Sequence, residues 1–183
     1  MAIVKVTNVR LAFADLFKPS EKYKRFGASF PIVPGSDNAK TLSAVVAAVA
    51  KDKWGVKADA ILAKIKSEGL LAYLELPKTN SEGEVYDGFA GMYTLNASNP
   101  ARVAVIDRDT APLAEQDGKP YGGCFVDASV ELWAQDNSWG KRINATLRWV
   151  QFRADGEAFS GGAPVSQGEF ENIADGASTH DLI

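Results

Sequence analysis

Among 183 residues there is one cysteine, Cys124, and one histidine, His180. A lone thiol excludes an intrachain disulfide, and one thiol with one imidazole is a poor basis for a His/Cys metal site or a Ser-His-Asp triad. No metal or cofactor is expected. No apolar run approaches the roughly 18 residues that a bilayer-crossing helix needs, so no membrane partner is expected either. The opening MAIVKVTNVRLAF alternates apolar and polar positions and lacks a small-residue cleavage site, which reads as a first strand rather than a secretion signal. Gly161-Gly162 is not followed by the Gly-Lys-Ser/Thr of a phosphate loop. Basic side chains are missing from the end of the chain, where Arg153 is the last. Beyond it stand six acids, Asp155, Glu157, Glu169, Glu171, Asp175 and Asp181. The 20 Lys and Arg therefore face 17 acids in the remainder, a net of +3 inside a chain whose formal total is −3. A basic body can sit on phosphate while an acidic tail competes for the same surface or recruits a partner. A purely solubilising tail is the other reading of the same charges.

What is present is a hydrophobic content of 46%, enough for one domain with embellishments. Val4, Val6, Val9, Leu11 and Phe13 outline a strand with a slip at Asn8 that fits a bulge. Lys22 to Ile32 alternates as a second strand, after a turn at Lys18-Pro19-Ser20-Glu21. The period then changes: Leu42, Val45, Val46 and Val49 form one helical stripe capped by Asp37 or Asn38, and Ala60 to Ser67 makes a shorter helix stopped by Gly69. These helices are expected as an insertion at about 39–67. Strands resume over Leu70 to Leu76, Phe89 to Asn96 and Arg102 to Asp107. The clearest pair comes last, with Cys124, Val126, Ala128, Val130 and Leu132 on one face, and Ile143, Ala145, Leu147, Trp149 and Gln151 on one face of its neighbour. Gln135 to Gly140 connects them as a hairpin. The expected fold is mainly β with inserted helices over 1–165, a small barrel rather than a parallel α/β sheet, for which the oligonucleotide-binding (OB) barrel is one architecture and another β-rich domain the alternative; an acidic tail follows over 166–183.

Two clusters suit nucleic acid. Lys22-Tyr23-Lys24-Arg25-Phe26 interleaves cations with rings; as a strand it sets Tyr23 and Arg25 on one face and Lys22, Lys24 and Phe26 on the other, with Phe26 assigned to the core. The hairpin presents Trp139, Lys141 and Arg142, with Trp133 and Arg148 on the outward faces of its strands. Tyr93 is a further ring with access to solvent. Rings stack on unpaired bases and cations hold phosphates, so these ten positions are the candidate nucleic-acid site. Trp149 and Trp54 are assigned to packing. Glu169, Glu171, Asp175, Asp181, Leu182 and Ile183 are the candidate partner-binding residues, acids that compete with DNA and an apolar end that anchors in a partner pocket. Two rival classes stay open. Asp107 and Asp109 on one strand face permit a magnesium-dependent nuclease, with no third carboxylate fixed by spacing. A noncatalytic interaction or assembly module, including a homodimer formed by strand pairing, accounts for the same apolar content.

The run from Tyr121-Gly122-Gly123-Cys124-Phe125-Val126 through Trp133, Asn137 to Gly140, Gln151 and Asp155-Gly156-Glu157-Ala158-Phe159 to Gly161-Gly162 resembles the small single-stranded DNA-binding proteins of tailed bacteriophages. The amino-terminal strand and the region from Asn96 to Asp107 are similar as well. The resemblance implies a modified OB barrel and no catalysis. It further implies single-stranded DNA binding without strong sequence preference, in phage replication, recombination or repair within the cytoplasm of the infected host. It also implies that the acidic tail engages phage or host replication and recombination proteins, although this tail ends in Asp181-Leu182-Ile183 and not in an aromatic residue.

Overall fold

Alternating valines carry the chain into β1 (Ala2–Arg10), which buries Val4, Val6 and Val9. The computed structural model describes residues 1–159. The slip falls at the expected place: Asn8 has φ +53° and the register shifts between Val6 and Val9. After Leu11 come β2 (Ala12–Asp15), β3 (Phe26–Ile32), β4 (Tyr73–Leu74), β5 (Tyr93–Asn99), β6 (Ala104–Ile106), β7 (Phe125–Asn137) and β8 (Gly140–Ala154). Their hydrogen-bonded path is β1-β7-β8-β5-β3-β2, with β4 added on β5 and β6 on β8. The two ends of that path, β1 and β2, are consecutive in the chain, so one bent amino-terminal segment bounds the sheet on both sides. The architecture is a mixed β-sheet with inserted helices.

The insertion comprises α1 (Asp37–Trp54) and α2 (Ala58–Ser67). Leu42, Val46 and Val49 are buried as their spacing requires, together with Ala39 and Ala50. The cap is Ser36, one position before the expected Asp37 or Asn38; its hydroxyl accepts the Ala39 N–H at 3.2 Å. Asn38 is used on β1 instead. Its Oδ1 accepts the Thr7 N–H at 3.1 Å and its Nδ2 donates to the Thr7 carbonyl at 2.9 Å, so one amide satisfies both backbone groups of a strand residue.

Four expectations are corrected. Phe13 does not extend the first strand inward: it has φ +49° and is 47% exposed. Lys22 to Arg25 is a turn, not the start of β3. Ser20 closes it by accepting the Lys24 N–H through its carbonyl and the Tyr23 N–H through its hydroxyl, while Lys24 has φ +55°. Phe89 precedes β5 and is buried in a turn. Trp149 is outside the core, because Ser129 pairs with Trp149 while Val130 pairs with Leu147. Arg148 is thus an extra residue in β8, and inward facing passes from Leu147 to Val150 and Phe152. The displaced indole lies under the Lys5 ammonium, 5.7 Å from its centroid. The buried core joins Phe30, Ile32, Leu95, Leu132 and Leu147 from the sheet to Leu42 and Ile65 from the helices.

Candidate nucleic-acid interface

Across β7, β8, β5 and the turn before β3 runs a row of side chains, each tied to the next. Trp133 Nε1 donates to Thr146 Oγ1 at 3.0 Å, Thr146 is paired with Ser98 in the parallel β8/β5 contact, and Arg25 Nε donates to Ser98 Oγ at 2.9 Å. A second row lies beside it: Ser29 Oγ donates to Asn96 Oδ1 at 2.6 Å, and Lys78 Nζ donates to the same oxygen at 3.0 Å. Gly27, opposite Ser98, lets β3 and β5 approach closely here, since a Cβ there would stand 2.8 Å from the Ala97 carbonyl oxygen.

The rows form the floor of a groove of about 930 Å³. Its lining includes five rings (Phe13, Tyr23, Phe26, Tyr86 and Trp133) and four cations (Lys22, Arg25, Lys78 and Arg142), against one acid, Asp15. Phe13 meets Tyr86 edge to face at 4.7 Å between centroids and has the Lys78 ammonium 5.3 Å from its own. Lys22 Nζ lies 5.1 Å from the Tyr23 ring, which is 66% exposed. Burial lowers the pKa of Lys78 and raises that of Asp15. Both shifts disfavour charge, and a bound phosphate would oppose the first and reinforce the second.

Of the ten expected site residues the groove gathers Lys22, Tyr23, Arg25, Trp133 and Arg142. The other five are elsewhere. Lys24 is exposed in the turn, outside the groove. Tyr93 packs against the core, edge to face with Tyr73 at 6.2 Å. Trp139 is 88% exposed at the tip of the hairpin, whose connection is only the two residues between Asn137 and Gly140. Strand alternation separates Lys141 from Arg142: Arg142 pairs with Gln135 beside the groove, whereas Lys141 pairs with Asp136 and lies 3.4 Å from its carboxylate. That carboxylate also accepts Trp54 Nε1 at 2.9 Å, and these two partners lower its pKa. Arg148 donates to Ser129 Oγ at 3.3 Å. Phe13, Lys78 and Tyr86 were not legible as site residues, the first because it continued an apolar alternation, the other two because they stand in polar turns.

The segment after β8 docks on the body. Tyr121 donates its hydroxyl to Asp155 at 2.7 Å, Arg10 donates to the Glu157 carbonyl, and the Arg10 guanidinium lies 4.1 Å from the Phe159 ring centroid. Asp155 and Glu157 therefore belong with the body, and the described residues carry 20 basic against 19 acidic side chains, a net of +1 rather than +3. Attraction for an anion arises from local concentration in the groove. Glu169, Glu171, Asp175, Asp181, Leu182 and Ile183 lie outside the described residues. Asp107 keeps a low pKa through the Arg108 N–H and Lys119, and no group of three or more His, Cys, Asp or Glu among the described residues is placed to hold a metal.

Rings alternating with cations in an open, sheet-floored groove are the arrangement that suits unpaired bases and their phosphates. The family model described as the Enterobacter phage Enc34 ssDNA-binding protein matches residues 2–183, and the chain belongs to that family of phage single-stranded DNA-binding proteins. Protein p50 of Acyrthosiphon pisum secondary endosymbiont phage 1 is 40% identical over 180 residues, covering 93% of this chain and 94% of the relative. In fold, the chain is similar to the single-stranded DNA-binding protein from bacteriophage Enc34 solved in complex with ssDNA. The TM-score is 0.70 at 22% identity, over 86% of this chain and 89% of that one. It is also similar to gp2.5, a single-stranded DNA-binding protein encoded by bacteriophage T7, with a TM-score of 0.55 at 12% identity over 97% and 96% of the two chains. No helix among the described residues is long and apolar enough to cross a membrane.

Proposed function

We propose that the groove holds single-stranded DNA without strong sequence preference, in phage replication, recombination or repair in the host cytoplasm, and that the protein catalyses no reaction. The observation that carries this reading is the lining itself, five rings and four cations against one acid. Phe13, Tyr23, Tyr86 and Trp133 offer faces or edges to bases, and Lys22, Arg25 and Arg142 meet phosphates. Trp139 extends the path beyond the groove. On this reading the domain of 1–165 is a modified OB barrel, the edge strands β1 and β2 being joined in the chain through Leu11, and 166–183 is its acidic tail. Binding of mixed-sequence single strands and of the matching duplex, measured across salt, tests the reading. Single strands are expected to bind more tightly, with a slope of log K on log salt of about −2.1 if Lys22, Arg25 and Arg142 each displace a counterion. Equal affinity for both forms, or no binding at low salt, overturns it.

The tail acids compete with DNA for the groove, and Leu182 and Ile183 engage phage or host replication proteins. Removing residues 168–183 deletes four acids and no Lys or Arg. The truncated protein is expected to bind single strands more tightly at low salt, with the advantage shrinking as salt rises. Unchanged affinity in a folded truncation refutes the competition.

A further inference from the structure

The second row on the groove floor has a one-sided hydrogen-bonding character. Lys78 has donors and no acceptor, so the Asn96 atom it meets at 3.0 Å must be the carbonyl oxygen, and the amide orientation is fixed. That oxygen also takes the Ser29 hydroxyl at 2.6 Å, which uses both of its lone pairs. What Asn96 has left is Nδ2 with its two hydrogens. Ser29 itself is only 5% exposed, so its remaining acceptor capacity is hidden. Lys78 makes no salt bridge among the described residues and keeps donors to spare beyond the one given to Asn96. Beside the exposed Phe13 ring, this row therefore presents N–H groups without an open acceptor of its own.

We infer that Lys78 and Asn96 form a base-reading subsite that donates to exocyclic carbonyl oxygens and so disfavours adenine. Thymine, cytosine and guanine each carry such a carbonyl. Adenine carries none, and its exocyclic group is an amine, a donor that would face donors. A base stacked beside Phe13 with its carbonyl edge down can take both donors on one oxygen, which has two lone pairs; an adenine ring nitrogen has one lone pair and, at N1 and N7, the amine beside it, so one of the two donors is left unmatched. The inference rests on the groove being the DNA site, and it adds a modest composition preference to a binding mode otherwise indifferent to sequence.

The test uses the full-length protein with homopolymeric deoxythymidine, deoxycytidine and deoxyadenosine strands of equal length at one salt concentration. Free adenine strands stack on themselves and bind less well for that reason alone, so the readout is the change in the adenine-to-thymine ratio on substitution, which self-stacking cannot alter. In the parent protein adenine strands are expected to bind more weakly than both pyrimidine strands. Lys78→Met and Asn96→Asp should each shrink the adenine-to-thymine ratio of dissociation constants by about three- to tenfold. If folded variants lose affinity equally for all three strands, and Lys78→Met lessens the salt slope, Lys78 holds a phosphate and the inference is wrong. An unchanged ratio at unchanged affinity also refutes it, while leaving the groove reading intact. If Phe13→Ala and Arg142→Ala leave binding unaltered as well, the groove reading falls with it.

Discussion

Replacing Phe13 by alanine tests the groove at the residue least expected from the chain. The ring is 47% exposed, supported by Tyr86 at 4.7 Å and by Phe89 at 6.3 Å, and held in a left-handed backbone conformation uncommon for a large side chain. A base stacked on such a ring is worth about 1–3 kcal/mol by alanine substitution, so Phe13→Ala should raise the dissociation constant for single strands about 5- to 150-fold. Folding should suffer less. With roughly half of its surface already in water, the side chain gives up about 1–2 kcal/mol of burial and ring contact. Phe13→Leu separates the two effects, because it restores apolar contact without a π face: stability should recover substantially and affinity should not. Neither variant removes a charge, so the salt slope should stay as in the parent. Fluorescence anisotropy with labelled strands gives the affinities, and thermal melts followed by circular dichroism give the stabilities. If both variants are folded and bind within twofold of the parent, no base stacks on Phe13 and the reasoning fails.

Asp15 is the one acid of the groove lining, and burial raises its carboxyl pKa. Its ionisation disfavours folding above that raised value; the cost is relieved as pH falls toward the ordinary value of 3.8. Asp15→Asn should therefore stabilise the protein at neutral pH and tighten single-strand binding most at low salt; weaker binding by a folded variant contradicts this. Arg142→Ala should reduce the salt slope by about 0.7, the share of one phosphate on a single strand, and an unchanged slope removes Arg142 from the path. Trp139→Ala should cost about 1–3 kcal/mol of binding if the strand reaches the hairpin tip, and parent-like affinity confines the DNA to the groove. Cys124 is fully buried, and burial pushes its thiol pKa up to about 11, so a disulfide reagent at neutral pH should leave the native protein unmodified and label it on unfolding; rapid native labelling contradicts that burial.

The closing hairpin was legible because strict alternation from Val126 to Leu132 and from Ile143 to Leu147 matches a sheet with one face in the core. The helical insertion was legible for the same reason at a different period. What escaped were departures from period that leave no trace in composition. One extra residue at Arg148 moved Trp149 out of the core to a half-buried position. A left-handed residue turned Phe13 outward. Lys22 to Arg25 alternates like a strand, yet Ser20 captures its N–H groups and makes it a turn. At the site, residues near in sequence were taken as near in space, so Lys141 was grouped with Arg142, although neighbours along a strand face opposite ways. Lys78 and Tyr86 reach the groove from turns that only the tertiary fold brings there.

The pairing of the first strand with β7 sets an order for synthesis. Ala2 finds its partner in Leu132, and so the amino-terminal strand emerges 130 positions before the residue it will pair with. At roughly 5–20 residues per second, that interval is about 7–26 seconds in which an apolar, unpaired strand is exposed to other nascent chains. α1 is complete much sooner, and Asn38 already offers both an acceptor and a donor to the backbone of Thr7. α1 thus comes off the ribosome as a partner for the strand well before β7 does.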